Sequence, residues 1–144
     1  MRVRLFVTLV LALALVYVAQ VAAGQALGDA NAMLTGDVEV PGPGDPKGSG
    51  TVQVTLKPDT AEVCYELSVA NLQEATAAHI HQGKKGEEGP VAVPLDTPKT
   101  GTAKGCTKAD VVVIEALMQD PTDYYVNVHN AAFPKGAVRG QLSR

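Results

Sequence analysis

An antiparallel β-sandwich or barrel carrying one short helix is the fold that this 144-residue chain predicts. Three features predict it. Short segments alternate apolar and polar residues with period two, the signature of strands with one buried face. Fourteen Gly and nine Pro supply breaks between such segments. Only one segment carries a helical period instead. Many short strands separated by Gly/Pro turns give a sandwich or barrel, an all-β class.

Taken in order, Ala32 to Val40 alternates weakly and reads as a first strand. The run Pro41-Gly42-Pro43-Gly44-Asp45-Pro46 holds neither a helix nor a central strand and is a loop. Thr51 to Leu56 places Val52, Val54 and Leu56 on one face; Glu62 to Val69 does the same with Val63, Tyr65, Leu67 and Val69. With the turn Lys57-Pro58-Asp59-Thr60 between them, these segments form a hairpin. Thr76 to His81 and Pro90 to Leu95 are further strands, separated by a charged loop spaced by Gly83, Gly86 and Gly89. The polar Thr100 to Cys106 suits an edge strand. From Thr107 to Asp120 the period changes: Val111, Ile114, Leu117 and Met118 share a helical face. Thr107 with Asp110 resembles a capping box, and Pro121 is the stop. Tyr124 to Asn130 returns to period two, and Ala137 to Leu142 is a last strand beyond the turn Phe133-Pro134-Lys135-Gly136. No internal repeat is found.

The N-terminus stands apart from this fold. Met1-Arg2-Val3-Arg4 is a basic start, Leu5 to Val18 is apolar but for Thr8, and Val21-Ala22-Ala23 offers small residues for cleavage. That order is a secretory signal peptide. The alternative is a retained anchor, since Leu5 to Ala23 approaches the roughly 20 residues that span a bilayer. Either way the remainder lies outside the cytoplasm, secreted or periplasmic, with membrane contact only if the segment is kept. Gly24 to Asn31 is small and polar and reads as a flexible lead-in.

Export decides how Cys64 and Cys106 are read. Two Cys in one small exported domain form a disulfide. Closing a loop of about 40 residues would stabilise the fold by roughly 3–4 kcal/mol. The rival reading, two thiolate metal ligands, has no CxxC pair and no adjacent His to support it.

Composition excludes several functions. Without Arg2 and Arg4, ten basic residues face 15 acidic ones, a net charge of −5. An acidic domain with no basic stripe is not a nucleic-acid binder. Aromatics at 4% with no Trp leave little for stacking bases. Ser49, Ser68 and Ser143 lie in no nucleophile elbow. The Gly83–Gly89 loop lacks the Gly-Lys-Ser/Thr ending of a phosphate cradle. Adjacent Glu87 and Glu88 point apart on extended backbone and suit a solvated turn.

The three His are concentrated. His79 and His81 stand at i and i+2, so they share a strand face with Cα atoms about 7 Å apart. His129 ends the strand Tyr125-Val126-Asn127-Val128-His129, on the face opposite Val126 and Val128. If Ile80 and the valines meet the core, all three imidazoles point away from it and can converge on one ion. Three neutral imidazoles with an open position suit Cu or Zn. The alternative is a solvated His face, or rings bonded to loop carbonyls. Tyr124-Tyr125 reads as one core and one surface Tyr.

These residues also carry a resemblance. Ala77-Ala78-His79-Ile80-His81-Gln82-Gly83, then Gly86 and Gly89-Pro90-Val91, Tyr124 to His129, and Gly136-Ala137-Val138-Arg139-Gly140-Gln141-Leu142 together resemble the CHRD domain, named from chordin. The resemblance covers roughly Leu34 to Leu142. It implies an immunoglobulin-like β-barrel with a distant likeness to copper/zinc superoxide dismutase, and it implies no established activity. The dismutase likeness matches His79, His81 and His129 to copper ligands. It leaves the bridging and zinc His without counterparts, because no His remains. Arg139 sits where an anion-guiding Arg would fall, and otherwise reads as a surface strand residue in a salt bridge.

The chain thus divides into a signal peptide at 1–23, a lead-in at 24–31 and a CHRD domain at 32–144. The expected function is a non-catalytic extracytoplasmic domain that binds one Cu or Zn ion through His79, His81 and His129. Two other classes stay open: a protein- or matrix-interaction module with structural His, and a copper redox enzyme of dismutase type. No protein partner is named by the sequence. The exported protein should begin near Gly24, which intact mass measures directly; a mass equal to the full chain would mean an anchor.

Overall fold

The computed structural model describes residues 28–144, so the signal segment and the first residues of the lead-in lie outside the described residues. Eight strands and one helix follow one another as β1 (Asp29–Thr35), β2 (Ser49–Lys57), β3 (Glu62–Ala70), β4 (Ala75–Gln82), β5 (Val91–Leu95), β6 (Thr102–Lys108), α1 (Val111–Gln119), β7 (Tyr124–Asn130) and β8 (Val138–Gln141). All pairings are antiparallel, and the strands form one sheet in the order β5-β4-β7-β8-β1-β2-β3-β6. The sheet curls until its ends β5 and β6 approach, a nearly closed barrel. The all-β expectation with one short helix therefore holds.

The interior is built by the period-two residues. Val52, Val54 and Leu56 of β2, with Val63, Tyr65 and Leu67 of β3, are buried on one face. They meet Ile80, Val93, Val126 and Val128, each with no measurable exposure. Ile114 and Leu117 of α1 complete the core where the chain crosses from edge strand β6 to β7. A fully buried side chain of this size contributes about 1.5–3 kcal/mol, so the alternating valines are the main stabilising stock of the fold.

Two boundaries differ from the sequence reading. β1 begins at Asp29, so Asp29–Asn31 are strand and not lead-in. They pair with Gln53–Thr55, and Asn31 bridges to Ser143. The inward residues there are Ala30 and Ala32, whose small side chains give a faint apolar signal. β1 then stops at Thr35, five residues before Val40. The helix is shorter than expected, because Thr107 and Lys108 still belong to β6. Its cap is Asp110, whose carboxylate accepts from the Val112 amide at 2.9 Å; the start is a simple N-cap and not a box from Thr107.

Cys64 and Cys106 are joined by a disulfide. They are direct partners in the β3–β6 ladder, so the bond fastens the edge strand to the sheet. Replacing both by Ala should lower the unfolding free energy by roughly 3–4 kcal/mol, read from the denaturant midpoint at constant slope. A loss below about 1 kcal/mol would mean that β6 needs no covalent tie.

Candidate metal centre

The site is set by the pairing of β4 with β7. His79 lies opposite Asn127, His81 opposite Tyr125, and His129 opposite Ala77. Across an antiparallel pair, opposed residues share a face. Ala78, Ile80, Val126 and Val128 therefore face the core, and the three His come together on the other side. Their ligand nitrogens all lie within 4.8 Å of one another. His79 Nδ1 and His129 Nε2 are 3.3 Å apart. Two nitrogens on a tetrahedral ion with bonds of about 2.0–2.1 Å stand about 3.3–3.4 Å apart, so this edge is already at coordination length.

The face is not a solvated one. His81 is 9% exposed, and His79 and His129 are half-buried. Tyr125 is buried as fully as Tyr124, which corrects the expectation of one surface Tyr. Arg139, expected at the surface in a salt bridge, is 2% exposed. Its guanidinium carbon sits 3.4 Å from the Tyr125 ring centroid, and His81 stacks on the same ring at 4.9 Å and 5°. The reason is a second layer of structure over this face. The loop between β4 and β5 folds back on it: Arg139 Nη2 donates to Lys84 O at 3.0 Å, Gln141 Nε2 to Gly83 O at 2.8 Å, and the Gly89 amide to Tyr125 Oη at 3.3 Å. Gly89 is required there, since a Cβ would lie 1.6 Å from Gln82 O.

Hydrogen bonds orient two of the imidazoles. His81 Nδ1 is 2.8 Å from Gly89 O, and His129 Nδ1 is 3.0 Å from Pro134 O. A carbonyl only accepts, so His81 Nδ1 carries the proton and His81 Nε2 presents a lone pair; His129 faces an acceptor at each nitrogen, Pro134 O and Asn127 Oδ1, and a neutral ring has one proton for the two. His81 Nε2 is buried with no hydrogen-bond partner. Asn127 Oδ1 lies 3.1 Å from His129 Nε2. Burial, followed by the nearby His129 and His81, lowers the His79 pKa below its ordinary value. Burial also lowers that of His129, partly opposed by the bond to Pro134. Both rings are therefore neutral at pH 7, the form that binds metal.

Sequence reasoning found the three His but missed their surroundings. Asn127 and Tyr125 have the parity of His129, a signal that placed them on this face without showing that it would be covered. Glu39 gave no signal. It is buried, and burial pushes its pKa up to about 7 against the pull of Arg139 and the Val40 amide. Its carboxylate packs on Gly136, where a Cβ would lie 2.4 Å from Glu39 Oε2 and φ is +145°.

A model of the CHRD domain matches residues 30–142 of the chain. No curated protein matches it.

The pKa shifts oppose one another in metal-free protein. His79 and His129 bind protons less readily folded than unfolded, so their contribution is present above about pH 6.5 and is lost as pH falls. Glu39 holds its proton up to about pH 7 when folded, against 4.5 ordinarily, so its contribution grows as pH falls through that window. Glu39→Gln removes only the second. Its melting temperature should drop more steeply from pH 7 to pH 5 than that of the wild type, and at pH 8 it should be at least as stable. A shallower drop would contradict the assignment.

Proposed function

The chain belongs to the CHRD-domain family, and from that premise we propose that it is a non-catalytic extracytoplasmic domain holding one Cu or Zn ion through His79, His81 and His129. The observation that carries this reading is the gathering of three imidazole ligand nitrogens within 4.8 Å of one another, together with a buried and unpartnered His81 Nε2. Nδ1 of His81 and Nδ1 of His129 each lie against a backbone carbonyl, of Gly89 and of Pro134. Such outer bonds are how proteins fix metal-ligating imidazoles. A buried His81 Nε2 without a partner is costly unless something binds it. The donor set is three neutral nitrogens, suited to Zn(II) or Cu(II). An oxidising compartment is supported by the disulfide and by the N-terminal signal pattern. Among the described residues no helix is long and apolar enough to cross a membrane.

A second reading has an observation of its own. The bonds from His81 to Gly89 and from His129 to Pro134 tie two loops to the sheet, which suits an interaction module with structural His. Metal analysis of protein purified without an affinity tag separates the two, and a superoxide assay on the copper-loaded protein tests the redox alternative.

If the three rings hold one ion, His79→Ala and His129→Ala should each weaken Zn(II) or Cu(II) binding by more than about 100-fold, beyond the roughly 10–100-fold loss typical of supporting residues. Exposed Gln82→Ala should leave it unchanged. Titration calorimetry with competing chelator gives the affinities. Unchanged binding in His129→Ala would refute the three-His site.

A further inference from the structure

We propose that Asn127 supplies a fourth donor, its side-chain oxygen, and closes the site as a four-coordinate centre of three nitrogens and one oxygen. The proposal rests on the three-His reading and adds to it a ligand and a coordination number.

Position comes first. Asn127 is the ladder partner of His79 and stands two residues before His129, so it lies on the same face between two of the rings. It is 3% exposed. A buried amide on a β-strand normally finds hydrogen-bond partners. The contact that this one makes is with His129 Nε2 at 3.1 Å.

That contact poses a polarity problem. His129 Nδ1 faces the Pro134 carbonyl and Nε2 faces Asn127 Oδ1, two acceptors for the one proton of a neutral ring. With the proton on Nδ1, Nε2 is a lone pair, and Asn127 Oδ1 bears only lone pairs. Two acceptors about 3 Å apart in a poorly solvated site repel. His81 Nε2 adds another unpartnered lone pair nearby. One cation satisfies all of these at once, with His79 Nδ1, 3.3 Å from His129 Nε2, as the remaining nitrogen. The 3.1 and 3.3 Å separations both fit edges of a tetrahedron around one ion. The opposite amide orientation places Nδ2–H against Nε2. It would occupy the lone pair that the ion needs and compete with binding.

The chemical consequence is a filled tetrahedron. Structural zinc sites use four protein ligands, whereas catalytic ones keep a position for water. A neutral amide oxygen is a harder donor than a thiolate or thioether, so the set favours Zn(II) and Cu(II) over Cu(I). The lack of an open position deepens the non-catalytic reading.

The test uses the full exported chain loaded with Co(II) or Zn(II), with azide as a probe for an open position. Wild-type Co(II) protein should give the intense visible absorption of a four-coordinate centre and should not respond to azide. Asn127→Ala should bind Zn(II) at least about tenfold more weakly, a loss that a supporting residue also produces, and its Co(II) spectrum should shift with azide, the response that marks loss of a direct ligand. Asn127→Asp keeps an oxygen and adds charge, so it should bind at least as tightly as wild type and stay insensitive to azide. A wild-type spectrum that already responds to azide would overturn the fourth ligand without any variant. So would an Asn127→Ala affinity equal to or above wild type, the outcome of the competing amide orientation. Both of those results leave the three-His site standing. A wild type that binds neither metal, or a His129→Ala variant that binds as well as wild type, removes both proposals together.

Discussion

The antiparallel register of β4 on β7 is the constraint on which the rest depends. Setting His79 against Asn127 fixes every neighbouring pair. It sends Ala78, Ile80, Val126 and Val128 into the barrel and gathers His79, His81, His129, Asn127 and Tyr125 on the reverse. A slip of one residue would reverse both sets, placing imidazoles in an apolar interior. The core valines therefore do more than stabilise the barrel, because the energy that buries them also holds the polar set in place.

The reverse face is itself covered. A barrel this small has one apolar core, yet here a second, polar layer lies outside it, held by directional contacts more than by area. Arg139 rests on Tyr125, and Tyr125 stacks on His81. The roof is the Gly83–Gly89 loop, bonded by Arg139, Gln141 and Tyr125. A cation over an aromatic face contributes about 0.5–2 kcal/mol, more when desolvated. Burying Arg139 without such partners would be strongly destabilising. Glu39 belongs to the same economy of buried charge: it stands near enough to Arg139 to feel its field, yet burial keeps its proton on to about pH 7.

Covering this face changes what its residues can do. In water, three imidazoles on a strand would each find solvent partners. Here the Nδ1 atoms of His81 and His129 meet the Gly89 and Pro134 carbonyls, while His79 Nδ1 lies against His129 Nε2, which also faces Asn127 Oδ1. The same enclosure lowers the proton affinity of His79 and His129. Preorganisation and neutrality thus have one cause, and both favour a bound cation over a bound proton.

The sequence by itself determined the strand faces, the hairpins, the stop at Pro121, the cysteine pair and the sharing of one strand face by His79 and His81. Each follows from local periodicity, turn chemistry or the small number of candidates. It placed β1 three residues late, because Ala30 and Ala32 are too small to mark a buried face. It left Tyr125 and Arg139 at the surface, since alternation tells which side a residue takes and not whether that side is covered. Only the tertiary structure decided that. The return of the Gly83–Gly89 loop over β4, β7 and β8 depends on contacts between residues more than thirty positions apart. Those contacts, and the burial they create, turn three histidines of matching parity into one enclosed cluster.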